Sequence, residues 1–162
     1  MKNIFRLGVD PGLTGAIALL QDGNLIDVWD MPAMAAPNGK GKFVSPQFLE
    51  YIMREIMAIL EGYENPQITA NIEQVSAMPR QGVSSMFKFG RCLGVIEGAI
   101  AANGIPITYI TPQKWKKKFG LIGKDKDASR QLCIQKFPDR LELFKHKKHN
   151  GRSDAVLIGM FE

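Results

Sequence analysis

The most informative stretch of this chain reads Gly8-Val9-Asp10-Pro11-Gly12-Leu13-Thr14-Gly15-Ala16. An apolar run leads into Asp10, and a second apolar run, residues 16–20, follows the glycine-rich turn. This pattern predicts two strands with a carboxylate at the end of the first. Glycines in such a turn tolerate positive φ and let a bulky anionic ligand approach the backbone. One interpretation is therefore a site for a metal ion or a phosphate, and the other is an ordinary hairpin with a solvated aspartate.

Length and composition indicate one globular unit. The chain has 162 residues, of which 45% are hydrophobic and 23% are charged, as in ordinary soluble domains. No apolar stretch approaches the ~20 residues of a membrane helix, and no long apolar segment of a signal peptide is present. Cys92 and Cys133 lack the spacing of a zinc site, so we expect reduced core thiols. We predict one domain over residues 1–162, a cytoplasmic location and no membrane partner.

Positive charge is concentrated in residues 114–152, which contain 13 Lys and Arg against 4 Asp and Glu. A concentration of this kind is typical of a surface that binds nucleic-acid phosphates, and a solvated face is the plainer interpretation. We expect DNA contacts from the basic residues of this segment and from one arginine outside it, namely Lys114, Lys116, Lys117, Lys118, Lys124, Lys126, Arg130, Lys147, Lys148 and Arg80.

Hydrophobic periodicity predicts an α/β fold. The expected strands are residues 4–10, 15–21, 24–30, 68–73 and 105–110. The expected helices are residues 46–61, 84–103, 111–115, 126–137 and 153–161. The prolines and glycines of residues 31–45 predict a mobile loop, and residues 138–152 are expected to form a basic connection. Three strands followed by alternating helices and strands imply a mixed five-stranded sheet with helices on both faces.

Three acids occupy positions where apolar neighbours surround them. Asp10 and Glu73 each end a predicted strand, and Asp154 opens the last predicted helix. A carboxylate among apolar groups is costly unless it is paired or bound to a metal. Oxygen-only ligands select Mg²⁺ or Mn²⁺, and two such ions can promote phosphodiester cleavage. The plainer interpretations are a surface acid for Glu73 and a favourable helix-dipole contact for Asp154.

Six segments together resemble the motifs of RuvC-type Holliday junction resolvases, in the ribonuclease H-like superfamily, and phage-type members in particular. Gly8 to Gly15 resembles the first acidic motif, Ile72-Glu73-Gln74-Val75 the second, and Gly151-Arg152-Ser153-Asp154-Ala155 the final acidic helix. Gly90-Arg91-Cys92-Leu93-Gly94-Val95 resembles the segment that forms the dimer helix. Residues 111–116 and 126–130 resemble the two basic positions.

The resemblance implies a ribonuclease H-like fold and a Mg²⁺-dependent endodeoxyribonuclease. Such an enzyme nicks four-way junctions or related branched DNA as a homodimer in a bacterial or phage-infected cell. The resemblance also implies that Asp10, Glu73 and Asp154 are catalytic ligands of two Mg²⁺ ions, with Mn²⁺ as an alternative. Lys116 and Lys126 would contact phosphates near the scissile bond, and Lys126 would belong to the catalytic group.

The chain departs from the family pattern at two places. A further ligand is common about one helical turn before the last aspartate, where this chain has His149 and Asn150. Asn150, His149 or water could therefore complete the site. Some members also carry an aromatic wedge three residues after the second acid, where this chain has Ser76. Met78 is an alternative apolar wedge, or no wedge is present.

The glycine spacing in the predicted helix at 84–103 has two interpretations. Gly90, Gly94 and Gly98 recur every four residues, which indicates a close backbone approach to the sheet or to another subunit. Tight packing within one subunit is an equally good interpretation.

Two other functions fit parts of the sequence. A non-catalytic protein that binds branched DNA could keep the fold without a full set of metal ligands. The residues Asp10, Gly12 and Thr14 also fit the phosphate loop of the actin, Hsp70 and sugar-kinase ATP-binding fold. That fold closes two related domains over a nucleotide, for which 162 residues are too few.

Overall fold

A mixed five-stranded sheet forms the centre of the protein. The structure is a computed structural model that describes residues 3–37, 39–76, 80 and 82–162. Its strands are β1 (Ile4–Asp10), β2 (Ala16–Gln21), β3 (Asn24–Asp30), β4 (Ala33–Ala35), β5 (Lys42–Val44), β6 (Gln67–Glu73) and β7 (Ile107–Ile110). The sheet order is β3-β2-β1-β6-β7, with β1 antiparallel to β2 and parallel to β6. The predicted mixed sheet is confirmed.

Helices cover both faces of this sheet, as predicted. They are α1 (Pro46–Glu61), α2 (Val83–Ala102), α3 (Pro112–Lys118), α4 (Ala128–Lys136), α5 (Leu141–Phe144) and α6 (Asn150–Gly159), with 3₁₀ turns at Pro138–Arg140 and Lys147–His149. α1 and α2 share a hydrophobic core with Leu7 and Val9 of β1, whereas α3 to α6 share one with Ala16 and Ala18 of β2. Within the described ranges, no helix has the length and apolar character that crossing a bilayer requires.

Local signals account for the elements that were predicted most closely. Ser45 accepts a hydrogen bond from the amide of Phe48 at 3.4 Å, so it caps α1, and Pro46 occupies the first turn. This combination favours a helix start. Asp22 and Gly23 both have positive φ, 49° and 80°. Their conformation gives the two-residue turn that joins β2 to β3.

The prediction of a mobile loop over residues 31–45 was wrong. β4 and β5 pair antiparallel in this segment, with Ala33 opposite Val44 and Ala35 opposite Lys42. Gly39 and Gly41, with φ of 71° and 89°, lie in the connection between them. Strands of three residues are too short to show an alternating pattern, so only the turn residues were visible in the sequence.

The last helix begins earlier than predicted. α6 starts at Asn150, within the segment predicted as a basic connection, and that segment also contains α5 and a 3₁₀ turn at Lys147–His149. Asp154 therefore lies in the second turn of α6, and the first-turn dipole contact considered for it does not apply.

α6 lies directly on the backbone of β1. A Cβ atom at Gly8 would overlap the carbonyl oxygen of Ala155 and the amide nitrogen of Gly159, and one at Gly151 would overlap the carbonyl oxygen of Thr14. Gly8, Gly12 and Gly15 do not have positive φ, so the expected conformational role of the motif glycines was wrong. Gly8 and Gly151 instead allow a close approach between two pieces of backbone.

We predict that Gly8→Ala destabilises the protein by about 1–3 kcal/mol or more, because backbone atoms on α6 cannot move aside as a flexible side chain could. Urea denaturation measures this change. Gly12→Ala, in the turn after β1, is the matched control, since its φ is not positive and a Cβ there would meet no described atom within 4 Å. Alanine there should be neutral or stabilise the protein by ~0.4–1 kcal/mol. Equal effects of the two substitutions would contradict the packing argument.

Candidate active site

The sheet topology brings Asp10 and Glu73 to one edge. β1 and β6 are parallel neighbours with Val9 opposite Ile72, so both strands end at the same edge. Gly8 contacts α6, and side chains two residues apart in a strand share a face. Asp10 therefore points to the α6 face of the sheet.

Asn71 shows which face of the sheet the side chains of β6 point to. Its side-chain amide donates to the carbonyl oxygens of Ile158 and Phe161, at 3.0 and 2.8 Å, so it faces the end of α6. Glu73, two residues further, points to the same face. Asp154 is carried by α6 itself. The three predicted acids thus come from three elements that are fixed against one another.

Burial and neighbouring charge raise the pKa of two of the three carboxylates, those of Asp10 and Asp154. Burial, and then the charges of Asp154 and Glu73, raise the pKa of Asp10 to about 8. Burial and the charge of Glu73 raise the pKa of Asp154 to about 6, although a hydrogen bond from Ser129 opposes the shift. Lys116 lowers both pKa values. Such shifts at neighbouring acids are typical of functional sites, because a stable fold gains nothing from them.

A polar cavity of about 270 Å³ lies beside Asp154. Its lining includes several of the predicted residues, namely Lys116, Lys124, Lys126, Asn150 and Asp154, together with Trp115, Leu121, Asp125 and Ser129. Lys124 and Lys126 are exposed at this cavity, whereas Lys116 is partly buried. The structure therefore places three of the predicted phosphate-binding lysines beside an acid of the cluster.

The structure separates the two side chains considered as a further metal ligand. Asn150 lines the cavity with Asp154, and its Oδ1 atom is buried without a hydrogen-bond partner among the described residues. His149 lines a different cavity, with Asp30 and Arg152, and its Nδ1 accepts a hydrogen bond from the amide of His146. Of the two, Asn150 is the side chain placed to reach an ion bound by Asp154.

The chemistry of these groups fits a hard divalent cation. A buried carbonyl oxygen without a partner and three coupled carboxylates form an oxygen-only donor set. In the described part of the chain, no three Asp, Glu, His or Cys side chains form a ready metal-binding group. The three carboxylates repel one another when they are ionised, because they carry like charge. A bound cation would offset this repulsion.

The other predicted DNA contacts lie in different environments. Arg80, Lys114, Lys117, Lys147 and Lys148 are exposed. Lys118 is also exposed, but it packs over the rings of Phe119 and Phe161. It lines a cavity with Ile4, at the end of β1 opposite Asp10.

Arg130 is the predicted DNA contact that the structure places in the interior, with 7% of its surface exposed. It forms two hydrogen bonds to the Asp127 carboxylate, at 2.6 and 2.8 Å, and donates to the carbonyl oxygen of Phe144. The Arg130 guanidinium holds the pKa of Asp127 below its usual range. These contacts join α4 to the end of α5, and they leave Arg130 poorly placed to reach a phosphate.

A second cavity adjoins the carboxyl end of β6. It measures about 450 Å³, and its lining consists of Gln74, Val75, Ser76, Phe89, Thr111, Pro112 and Gln113. Ser76, at the position of the wedge in the family pattern, therefore has an aromatic neighbour from α2. Met78, the alternative wedge, lies outside the described residues.

The glycines of α2 have no close packing partner in the part of the chain that the structure describes. A Cβ atom at Gly90, Gly94 or Gly98 would meet no described atom within 4 Å. The first two turns of the same helix expose large apolar side chains, with Val83 85% and Phe87 71% exposed. Of the two interpretations offered for the glycines, tight packing inside one subunit was wrong.

The sequence did not reveal two side chains that hold the acids. The indole Nε1 of Trp115 donates to Oε1 of Glu73 at 2.9 Å, and Ser129 donates to the Asp154 carboxylate. Trp115 lies in a run of lysines, and in the sequence only its aromatic character set it apart as a candidate for a role at the site. Ser129 had no signal, because its role depends on how α4 packs against α6.

Comparisons with known proteins give two independent similarities. The chain is 30% identical over 149 residues to the chloroplastic Holliday junction resolvase MOC1 of Chlamydomonas reinhardtii, and the match covers 81% of the chain. The chain spans only 16% of the length of that relative. No protein-family model matches the chain.

The fold resembles that of RuvC from Thermus thermophilus. A structure of that protein in complex with a Holliday junction substrate gives a TM-score of 0.58 at 16% identity, with 98% of this chain and 91% of the other covered. A second RuvC structure from the same organism gives a TM-score of 0.53 at 16% identity, covering 97% and 92%. The predicted fold and the resemblance to RuvC-type resolvases are confirmed, whereas the phage-type assignment stays a prediction.

We predict that Asp10→Asn stabilises the metal-free protein, and that the gain is larger at pH 8 than at pH 5. The folded state holds a proton on Asp10 up to about pH 8, whereas the unfolded chain loses it near the ordinary value of 3.8. Stability is therefore lost as the pH rises between these values, and asparagine avoids that loss. The gain at pH 8 should be at least ~1 kcal/mol, since one pKa unit corresponds to about 1.4 kcal/mol.

Urea denaturation in EDTA at both pH values measures the difference. Asp139→Asn is the control, because Asp139 is an exposed acid in the 3₁₀ turn. A gain that is the same at pH 5 and pH 8 would contradict the raised pKa of Asp10.

Proposed function

We propose that this chain is a divalent-metal-dependent endodeoxyribonuclease that nicks four-way junctions or related branched DNA. The observation that carries the proposal is the cluster of Asp10, Glu73 and Asp154 beside a lysine-lined cavity. Burial and like charge raise the pKa of Asp10 and Asp154, so these acids need positive charge, and a metal ion or a DNA-bound cation supplies it. The sequence similarity to a Holliday junction resolvase supports the choice of substrate.

The acids would act as ligands, with Asn150 as a neutral oxygen donor. Two divalent ions held there would supply activation of water and stabilisation of the leaving oxygen, in the manner of two-metal nucleases. Lys116 lowers the pKa of Asp10 and Asp154 and so favours the ionised form of both carboxylates. Its ammonium group would also contact a phosphate that approaches the acids. Lys126, exposed on the same cavity, would bind and orient the strand near the scissile bond.

The remaining basic residues would hold the arms of the junction. Lys114, Lys117, Lys124, Lys147 and Lys148 are exposed on the elements that surround α6. Each contact with a duplex phosphate adds affinity that weakens as salt concentration rises. Arg130 supports this surface from inside through Asp127 and Phe144.

The same proposal includes a homodimer. Exposed Val83 and Phe87, with the uncovered glycines further along α2, form a helix face that has nothing packed on it among the described residues. Small residues on such a face let two backbones approach closely, and a two-fold axis would place two sites on one junction. The α2 face is therefore the proposed dimer surface.

A non-catalytic junction-binding protein is the second candidate, and the lack of a preformed group of three metal-binding side chains in the described residues favours it. This protein would bind junctions and not cut them. The ATP-binding alternative receives no support from the comparisons, since the structural similarity is to RuvC over nearly the whole chain.

We predict that Asp10→Asn, Glu73→Gln and Asp154→Asn each reduce junction nicking to background and leave junction binding largely intact. The three acids are proposed to hold metal, whereas the affinity for DNA comes mainly from the lysines. Nicking of a synthetic four-way junction, with a linear duplex of the same sequence as comparison, measures the first effect. A gel-shift titration in EDTA measures the second.

Asp139→Asn is the control variant and should cut at the normal rate. A wild-type protein that binds the junction with no metal-dependent nicking would favour the non-catalytic alternative. Normal nicking by Asp10→Asn would exclude the proposed site.

We predict that Asn150→Asp lowers the Mn²⁺ concentration for half-maximal thermal stabilisation of the free protein, whereas His149→Ala leaves it unchanged. An added carboxylate offsets part of the repulsion between two cations, and His149 lies in the other cavity. A thermal-shift titration with MnCl₂ measures both midpoints. An unchanged midpoint in Asn150→Asp together with a raised midpoint in His149→Ala would assign the ligand to His149. Unchanged midpoints in both variants would mean that water completes the site.

A further inference from the structure

Trp115 contacts two of the groups that act in the proposed site. Its indole Nε1 donates a hydrogen bond of 2.9 Å to Oε1 of Glu73. The Nζ atom of Lys116 lies 5.3 Å from the centre of the same ring. The edge of one aromatic side chain thus holds an acid of the cluster, and its face holds the lysine that interacts with the other two acids.

The position of this ring is fixed by the fold. Trp115 has only 1% of its surface exposed and packs in the core with Ile110, Cys133 and Phe144. Thr111 caps α3 by accepting a hydrogen bond from the amide of Lys114 at 3.4 Å, which fixes the start of the helix. A buried indole in a capped helix cannot turn away from Glu73 without disrupting the core.

Glu73 needs such an anchor more than an isolated acid would. Its carboxylate lies near the charges of Asp10 and Asp154, whose repulsion favours rotation of the Glu73 side chain away from them. The indole N–H offsets this repulsion with one charge-assisted hydrogen bond. It also occupies Oε1, so the other carboxylate oxygen keeps its lone pairs available for a cation.

We propose that Trp115 is the positioning residue of this site, which holds the Glu73 carboxylate through its indole N–H and the Lys116 ammonium through its ring face. The inference deepens the proposed function and rests on it, because it assumes that Glu73 is a metal ligand. Groups that orient metal ligands in this way commonly change metal affinity by 10–100-fold when they are removed.

The chain contains a matched control. It has two tryptophans, and Trp29 makes the same type of contact, with its Nε1 donating to Oε2 of Glu55 at 2.8 Å. Glu55 lies on α1, which packs against the opposite face of the sheet from α6. Trp29→Phe therefore removes an indole–carboxylate hydrogen bond on the face of the sheet opposite the acids.

Nuclear magnetic resonance tests the contact without disturbing the core. The chain should give two indole N–H signals, and loss of one in Trp29→Phe assigns the other to Trp115. We expect Mg²⁺ to shift the Trp115 signal and leave the Trp29 signal in place. Glu73→Gln should move the Trp115 signal upfield and abolish its response to Mg²⁺. A Trp115 signal that ignores both the ion and Glu73→Gln would overturn the proposal.

Metal affinity tests the consequence. Calorimetric titration of the free protein with MnCl₂ should give at least ~10-fold weaker binding in Trp115→Phe, with no change in Trp29→Phe. The Mg²⁺ concentration for half-maximal nicking should rise by a similar factor, and junction affinity in EDTA should stay normal. Unchanged metal binding in a folded Trp115→Phe protein would overturn the inference.

The two readouts separate this inference from the function on which it rests. If the wild-type protein nicks no junction but Trp115→Phe still binds Mn²⁺ more weakly, the result would support the positioning role and contradict the proposed nuclease activity. Normal nicking by Trp115→Phe with an unchanged metal midpoint would support the nuclease activity and contradict the positioning role. If Trp115→Phe does not fold, the indole signals of the wild-type protein and of Glu73→Gln still decide the outcome.

Discussion

The backbone contact between α6 and β1 is the constraint on which the rest of the site depends. Gly8 and Gly159 let the helix rest on the strand without side chains between them, and Gly151 does the same at the β1–β2 turn. A helix held at both ends has little freedom to slide or turn. Asp154, between these contacts, is therefore fixed relative to Asp10 at the end of the strand. The glycine-rich turn serves the active site indirectly, by bringing a second acid to the first.

The close approach of the acids is unfavourable for the protein by itself. Burial and like charge raise the pKa of Asp10 to about 8, so the site gives up part of the stability that ionised surface acids would retain. Trp115, Ser129 and Lys116 each offset part of this cost with a hydrogen bond or a positive charge. Strain of this kind is typical where a fold is arranged for a ligand rather than for stability.

The sequence predicted the elements whose determinants are local. β1, β3 and α1 have the predicted bounds, because alternation, the Asp22-Gly23 turn and the Ser45 cap lie within the segments themselves. The β4–β5 hairpin and the start of α6 were not predicted, since short strands and tertiary contacts determine them. The three acids were identified by their unfavourable neighbours. The choice between Asn150 and His149 required the structure, because adjacent residues on a helix point into different cavities.

The basic segment has two roles that its composition does not separate. Some of its charges are exposed, as the proposed contacts with a phosphate backbone require, but Arg130 is used internally, through Asp127 and Phe144, to hold α4 in place. α4 in turn carries Ser129 to Asp154, while α3 carries Trp115 to Glu73. α3, which orients Glu73, therefore also carries Lys114, Lys116 and Lys117, three of the lysines proposed to bind DNA. A DNA strand bound to these lysines would contact a helix that orients a carboxylate, so the proposed substrate binding would be coupled to the geometry of the site.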